Sequence, residues 1–160
     1  MPQKSFKTII IYDSLYGNTE RIAKCIAGSI DGEVKVSLVG KLDISELKGI
    51  DLLIVGSPTH GGRPTPAIQK FLKDIPANSL KNVRVAAFDT RLSEKEQAVW
   101  LRLLIKVIDF AAPRIADALI SKGGKLVVKP EGFIVEHKEG PLRKMEQERA
   151  GKWGEKIKQQ

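Results

Sequence analysis

The chain has 160 residues and a mass of 17.7 kDa, one domain's worth of polypeptide, so two independently packed domains are not expected. With 42% hydrophobic and 29% charged residues it can bury a core, which excludes disorder as the main state. Its 27 Lys and Arg against 19 Asp and Glu give a net charge of +8, but the cations are scattered from Lys4 to Lys158 and aromatics are only 6%, so specific nucleic-acid binding is not expected.

Lys7 to Tyr12 (KTIIIY) is a continuous apolar, β-branched run and predicts a buried strand. Ile22, Cys25, Ile26 and Ile30 then share one helical face, with Cys25 expected as an inert core thiol. Glu33 to Leu38 (EVKVSL) alternates and suits an edge strand with one wet face. Asp51 to Gly56 predicts a second buried strand, Ile68, Phe71, Leu72 and Ile75 a second helix, and Val83 to Phe88 a third buried strand. Ser93 and Glu96 form a capping-box pattern ahead of an extra helix over 94–109. There Val99 to Ile108, with Trp100, is apolar around most of its circumference, and only Arg102, Lys106 and Asp109 mark a polar stripe. Ile115 to Ser121 predicts a helix ending at Gly123. Leu126 to Val128 and Phe133 to Val135 bracket Pro130, which reads as a final edge strand interrupted at the proline. Gly140 and Pro141 precede a last helix carrying Leu142, Met145, Arg149, Trp153 and Ile157.

This alternation implies an α/β fold: three layers around a doubly wound, five-stranded parallel sheet of order 2-1-3-4-5 in a single domain over 1–160. Ligands of such sheets bind beyond the carboxyl ends of the strands, where the strand order reverses. Three loops fall there.

The first, Asp13 to Thr19, carries hydroxyls at Ser14, Tyr16 and Thr19, a glycine at Gly17 and a helix start. Together these describe a phosphate cradle built from neutral donors and the helix dipole, since no lysine is present. Neither G-x-x-x-x-G-K-[ST] nor G-x-G-x-x-G occurs, which excludes a P-loop and a dinucleotide fingerprint. The second, Gly56-Ser57-Pro58-Thr59-His60-Gly61-Gly62-Arg63-Pro64-Thr65-Pro66, is dense in glycine and proline and predicts a rigid wall. The third is Phe88-Asp89-Thr90-Arg91. A receiver domain needs an aspartate where Gly56 and Ser57 stand, and a hydrolase needs an absent G-x-S-x-G elbow. His60 and His137 lack convergent carboxylates, so no metal site is expected, and His137 reads as solvated.

Ser14-Leu15-Tyr16-Gly17-Asn18-Thr19 resembles the phosphate loop T/S-x-T-G-x-T of the flavodoxin family, with tyrosine in third place as in the Y-G-N-T loops of flavodoxin-like quinone reductases. The Ser57-Pro58-Thr59 stretch is similar to the start of that family's second flavin loop. The resemblance implies non-covalent FMN rather than FAD. Ser14, Leu15, Tyr16, Gly17, Asn18 and Thr19 would hold the phosphate, and Pro58, Thr59, His60, Gly61, Gly62 and Arg63 would wall the ring. Phe88, Asp89, Thr90 and Arg91 would line its edge, and no residue would act as acid, base or nucleophile. His60 stands where short-chain flavodoxins place a tryptophan, and the third loop lacks the stacking tyrosine.

The function implied is electron transfer. A flavodoxin-like NAD(P)H:quinone reductase, an oxidase at a membrane surface reached through the Trp100 helix, and a flavin-free binding or regulatory module of the same fold stay open. The basic surface implies an acidic redox partner. Arg63 and Arg91 imply a less negative second reduction potential than in acidic flavodoxins. No apolar run approaches the ~20 residues of a membrane span, and a lone cysteine in a chain without a signal-peptide pattern suits the cytoplasm. Oligomeric state is left open.

Overall fold

The structure is a computed structural model and describes residues 3–93 and 110–160. The extra helix expected over 94–109, with Glu96 of its capping box and Trp100, lies outside the described residues.

Strand β1 (Lys7–Tyr12) is followed by α1 (Asn18–Ala27) and β2 (Glu33–Leu38), then by two short 3-10 turns, Val39–Lys41 and Ile44–Leu47. Next come β3 (Leu52–Pro58), α2 (Pro66–Asp74), β4 (Arg84–Leu92) and α3 (Ala111–Ser121). The chain closes with β5 (Lys125–Leu126), β6 (Glu131–Val135) and α4 (Glu146–Lys158). All strand pairs are parallel, in the order β2-β1-β3-β4-β5, with β6 also on β4. This is the doubly wound 2-1-3-4-5 sheet. Its fifth place is shared: β5 pairs with Arg84 and Val85, β6 with Phe88 to Leu92. Pro130 stands between the two, where a residue with no N–H to donate breaks the ladder.

Alternate residues of the central strands face opposite helix layers, so both sets are apolar. Ile9, Ile11, Leu53, Val55, Val85 and Ala87 pack with Ile68, Phe71 and Leu72 of α2 and with Ile115 and Leu119 of α3. Ile10, Tyr12, Ile54, Ala86 and Phe88 pack on the other face with Ile22 and Ile26 of α1 and with Ala150, Trp153 and Ile157 of α4. At the centre of that layer the rings of Phe88, Phe133 and Trp153 meet edge to face, with centroids 6.1 to 6.2 Å apart. Edge strand β2 buries only Ser37 fully, consistent with its alternating pattern.

Three expectations are corrected. First, Asp89, Thr90 and Arg91 do not form a loop: β4 runs on to Leu92, because β6 supplies the ladder partners that local propensity could not reveal. Second, Leu142 and Met145 lie outside the last helix. The Glu136 amide donates to the Pro141 carbonyl and the Arg143 amide to the Ile134 carbonyl, both at 2.8 Å, so 141–143 folds back along β6. Met145 then turns left-handed at φ 76 before α4 begins. Third, Cys25 is half-buried rather than core, with its thiol 3.7 Å from Gln147 Oε1 at the boundary of α1 and α4, and partial burial pushes its pKa up.

The first turn of α4 locks to β6 through Glu146. Its buried carboxylate accepts the Ile134 amide at 2.6 Å and both the Nε and Nη2 of Arg149 at 2.8 Å. Burial opposes the charge, yet the Arg149 guanidinium and the Ile134 amide hold the carboxyl below its ordinary value. A depressed carboxyl stabilises the fold fully above its unfolded pKa, ~4.3, and loses that stabilisation as pH falls through the lower folded value. Glu146→Gln is therefore expected to lower unfolding free energy by about 1–3 kcal/mol at neutral pH. The gap to wild type in urea titrations should close below about pH 4, and a gap independent of pH would refute the ionic contribution.

Candidate functional site

The carboxyl ends of β1, β3, β4 and β6 open on one edge of the sheet, beside the point where strand order reverses. A cleft of about 290 Å³ lies there, lined by Ser14, Leu15, Tyr16, Asn18, Thr19, Pro58, Thr59, His60, Gly61, Thr90, Arg91, Leu92, Val135 and Lys138.

The first wall is the turn from β1 into α1. The Ser14 amide donates to Asp13 Oδ1 at 2.9 Å and the Gly17 amide to Ser14 Oγ at 3.0 Å. Gly17 sits at φ 88, in the left-handed region that glycine adopts freely, and caps α1 with no side-chain hydrogen bond. The first-turn amides are thus left without a side-chain acceptor. Thr19 Oγ1 and Thr90 Oγ1 lie 2.8 Å apart, which ties this wall to β4. Asn18 Nδ2 donates to the Glu139 carbonyl at 3.1 Å and ties it to the loop after β6.

The second wall leaves β3 at Pro58. The Thr59 amide donates to the Thr90 carbonyl at 2.9 Å, and His60 and Arg63 exchange backbone hydrogen bonds at 2.9 and 3.0 Å. Gly61 at φ 55 and Gly62 at φ 77 make the two-residue turn between them, a geometry with both central residues left-handed that explains the glycine pair. Thr65 joins the two walls: its hydroxyl donates to Asp13 Oδ2 at 2.6 Å, and its amide donates to Ser57 Oγ at 3.0 Å.

On β4 the strand alternation separates what a loop would have mixed. Thr90 turns to Thr19, whereas Asp89 and Arg91 share the opposite face. Asp89, 0% exposed, accepts Arg91 Nε at 2.7 Å, Arg91 Nη2 at 2.6 Å and the Ala112 amide at 2.9 Å. Burial pushes the Asp89 carboxyl up, against the pull of the guanidinium and of the α3 amide. Arg91 also lies over the Phe110 ring, 3.6 Å from its centroid.

The cleft therefore gathers most of the residues expected from sequence, with five exceptions. Gly17 shapes the first turn without lining the cleft, and Gly62 is buried in the second. Arg63 faces a separate groove between α2 and α3. Phe88 is fully buried in the aromatic cluster, and Asp89 is committed to Arg91 and α3. Sequence reasoning missed Leu92, one residue past the third stretch, and it missed Val135 and Lys138 because only the loops after the first, third and fourth strands were taken to meet. The available signal was that a parallel β6 must end at the same edge. It also missed Asp13 and Thr65, whose contact joins distant loops and leaves no local pattern. His137 is exposed and outside the cleft.

A doubly wound sheet with a crevice at its switch point, walled by a helix-start turn and a glycine hairpin, is the α/β architecture whose ligands bind beyond the carboxyl ends of the strands. The flavodoxin domain family matches residues 9–128, from β1 through β5. The flavodoxin of Aquifex aeolicus (strain VF5) is 33% identical over 73 residues, covering 43% of this chain and 40% of that protein, so the match spans less than half of the relative. Among solved structures, a flavodoxin from the domain Archaea superposes with a TM-score of 0.75 at 20% identity over 96% of this chain and 97% of its own. Oxidised Flavodoxin 2 from Bacillus cereus gives 0.75 at 23%, over 96% and 98%. Rubredoxin oxygen:oxidoreductase from Desulfovibrio gigas gives 0.71 at 23%, over 96% of this chain but 35% of that one. This chain belongs to the flavodoxin domain family.

Proposed function

We propose that the protein binds FMN in this cleft and carries electrons. The observation that supports the reading most is the pairing of a phosphate-sized donor turn with a stiff second wall in one crevice. Ser14 Oγ, which accepts from Gly17, keeps its proton to donate, and the α1 amides are left without a side-chain acceptor. A Cβ at Gly17 would meet no atom within 4 Å, so space lies open beside the turn. The donor set fits a single terminal phosphate. Bound FMN supplies the redox chemistry, and the protein supplies binding and electrostatics.

In this reading Ser14, Thr19 and the first-turn amides hold the phosphate. Pro58, Thr59, His60 and Gly61 wall one side of the ring, and Thr90, Leu92 and Val135 line the depth of the cleft. Leu15 and Tyr16, 53% and 45% exposed, stand at the mouth and exclude water from a bound ring. Tyr16 is therefore an aromatic available to the ring as well as a hydroxyl. No side chain is assigned as acid, base or nucleophile. The reading keeps an acidic redox partner and the cytoplasm as its compartment, and no described helix is long and apolar enough to cross a membrane.

The electrostatic expectation changes residue. Arg91 is compensated by Asp89 and Arg63 faces away, which leaves Lys138 as the cleft cation with no ion pair among the described residues. Lys138→Gln in the FMN-loaded protein is expected to make the second reduction potential more negative, by on the order of 1 kcal/mol for one charge near water. Arg91→Gln should move it less, and the reverse ranking in a redox titration would reject the assignment.

The deciding experiment is a fluorescence titration of the flavin-stripped protein with FMN and with riboflavin. Saturable quenching by FMN and binding at least tenfold weaker for riboflavin, about 1.4 kcal/mol, is the expected result. Equal affinities would remove the phosphate role of Ser14 to Thr19, and no binding of either would leave the flavin-free module. The reductase alternative predicts sustained NADH or NADPH oxidation with a quinone; a carrier shows none.

A further inference from the structure

A second groove, of about 370 Å³, runs between α2 and α3. Its floor includes Leu72 and Ala118, while Arg63, Lys73, Arg114 and Lys122 line it and, among the described residues, no carboxylate does. Among the described residues none of these four cations has an ion pair. The contrast lies on the same helix: Lys70 of α2 pairs with Asp74 at 2.5 Å, one position round from Lys73. The Lys122 ammonium donates to the Lys73 carbonyl at 3.2 Å, which fixes it over the groove with two protons still to offer. Like charges gathered along one groove repel one another until an anionic surface meets them.

The groove adjoins the cleft through one covalent link and one hydrogen bond. Arg63 closes the hairpin whose His60 and Gly61 line the cleft, and α3 starts where the Ala111 amide donates to Thr59 Oγ1 at 3.1 Å. A body seated in the groove therefore rests against the cleft's second wall.

We propose that this groove is the docking surface for an acidic protein partner, whose carboxylates engage Arg63, Lys73, Arg114 and Lys122 and whose apolar side chains reach Leu72 and Ala118. The proposal deepens the electron-carrier reading and rests on it only for the partner's being a redox protein. Charge complementarity steers the encounter, and the apolar floor adds contact after desolvation.

The test is fluorescence anisotropy of a labelled oligoglutamate peptide against the full chain, with Lys73→Glu/Arg114→Glu compared with Lys144→Glu/Lys152→Glu on the other side of the sheet. The two double variants change net charge equally. The groove variant is expected to bind about tenfold or more weakly, with the control within about twofold, and wild-type affinity should fall as salt rises. Equal losses in both variants would reduce the effect to bulk charge and overturn the proposal, as would no wild-type binding at low salt. A single-stranded oligonucleotide of the same charge that binds more tightly and loses more in the groove variant would overturn it in favour of nucleic acid. FMN titration of each variant separates the two readings: peptide binding without FMN binding keeps the groove and ends the electron-carrier assignment.

Discussion

Asp89→Ala is expected to lower stability by about 3–5 kcal/mol, the cost of leaving one partner of a buried pair behind. Beyond the Thr59 hydroxyl, three hydrogen bonds end at this carboxylate. Two come from Arg91, 19% exposed, and one from the Ala112 amide in the first turn of α3. The remaining guanidinium has no second ion pair among the described residues. Its stack on Phe110 cannot neutralise the charge. The companion Asp89→Ala/Arg91→Leu should recover a large part of the loss, because removing both charges removes the uncompensated one. Urea unfolding of the two single variants and the double variant closes the cycle. A double variant no more stable than Asp89→Ala would show that the carboxylate acts chiefly through α3 rather than through Arg91.

A single methyl group at Gly56 is expected to cost about 3 kcal/mol, the upper end of ordinary overpacking. Gly56 is opposite Phe88 in the β3–β4 register, and a Cβ built there falls 2.0 Å from Phe88 Cζ. The ring cannot retreat, since Phe133 and Trp153 hold it from behind at 6.1 Å. Gly56→Ala combined with Phe88→Leu should be more stable than Gly56→Ala alone, although Phe88→Leu by itself loses packing. Thermal unfolding decides, and simple addition of the two losses would mean that the backbone, not the ring, absorbs the methyl.

Much of this architecture was legible before any coordinates. KTIIIY and EVKVSL mark β1 and β2 to their end residues, because a doubly covered strand is apolar on both faces and an edge strand is not. The interruption at Pro130 was legible for the same kind of reason, a missing donor. The candidate cleft was legible where one loop forms a wall by itself, as from Ser14 to Thr19. It was not legible where chemistry depends on distant pairing. Asp89-Thr90-Arg91 has the polarity of a loop and becomes strand only because β6 lies beside it. Read as a strand, its Asp-x-Arg spacing would have placed both charges on one face and foretold the ion pair. Lys138 was hidden because its loop looks solvated, and only the parallel direction of β6 brings it to the cleft.

The division of the sheet's last place between β5 and β6 also bears on how the protein behaves in a crowded solution. An outermost strand offers its free amides and carbonyls to any other chain that can lie alongside. Here that border is two short pieces, of two and five residues, with Pro130 between them. The end of the longer piece is already occupied by the returning segment, through the antiparallel bridge of Val135 with Leu142. At the opposite border, β2 carries Glu33 and Lys35 among its exposed positions. Among the described strands neither flank presents a long, uncharged template of the kind that strand addition into multimers or fibrils uses.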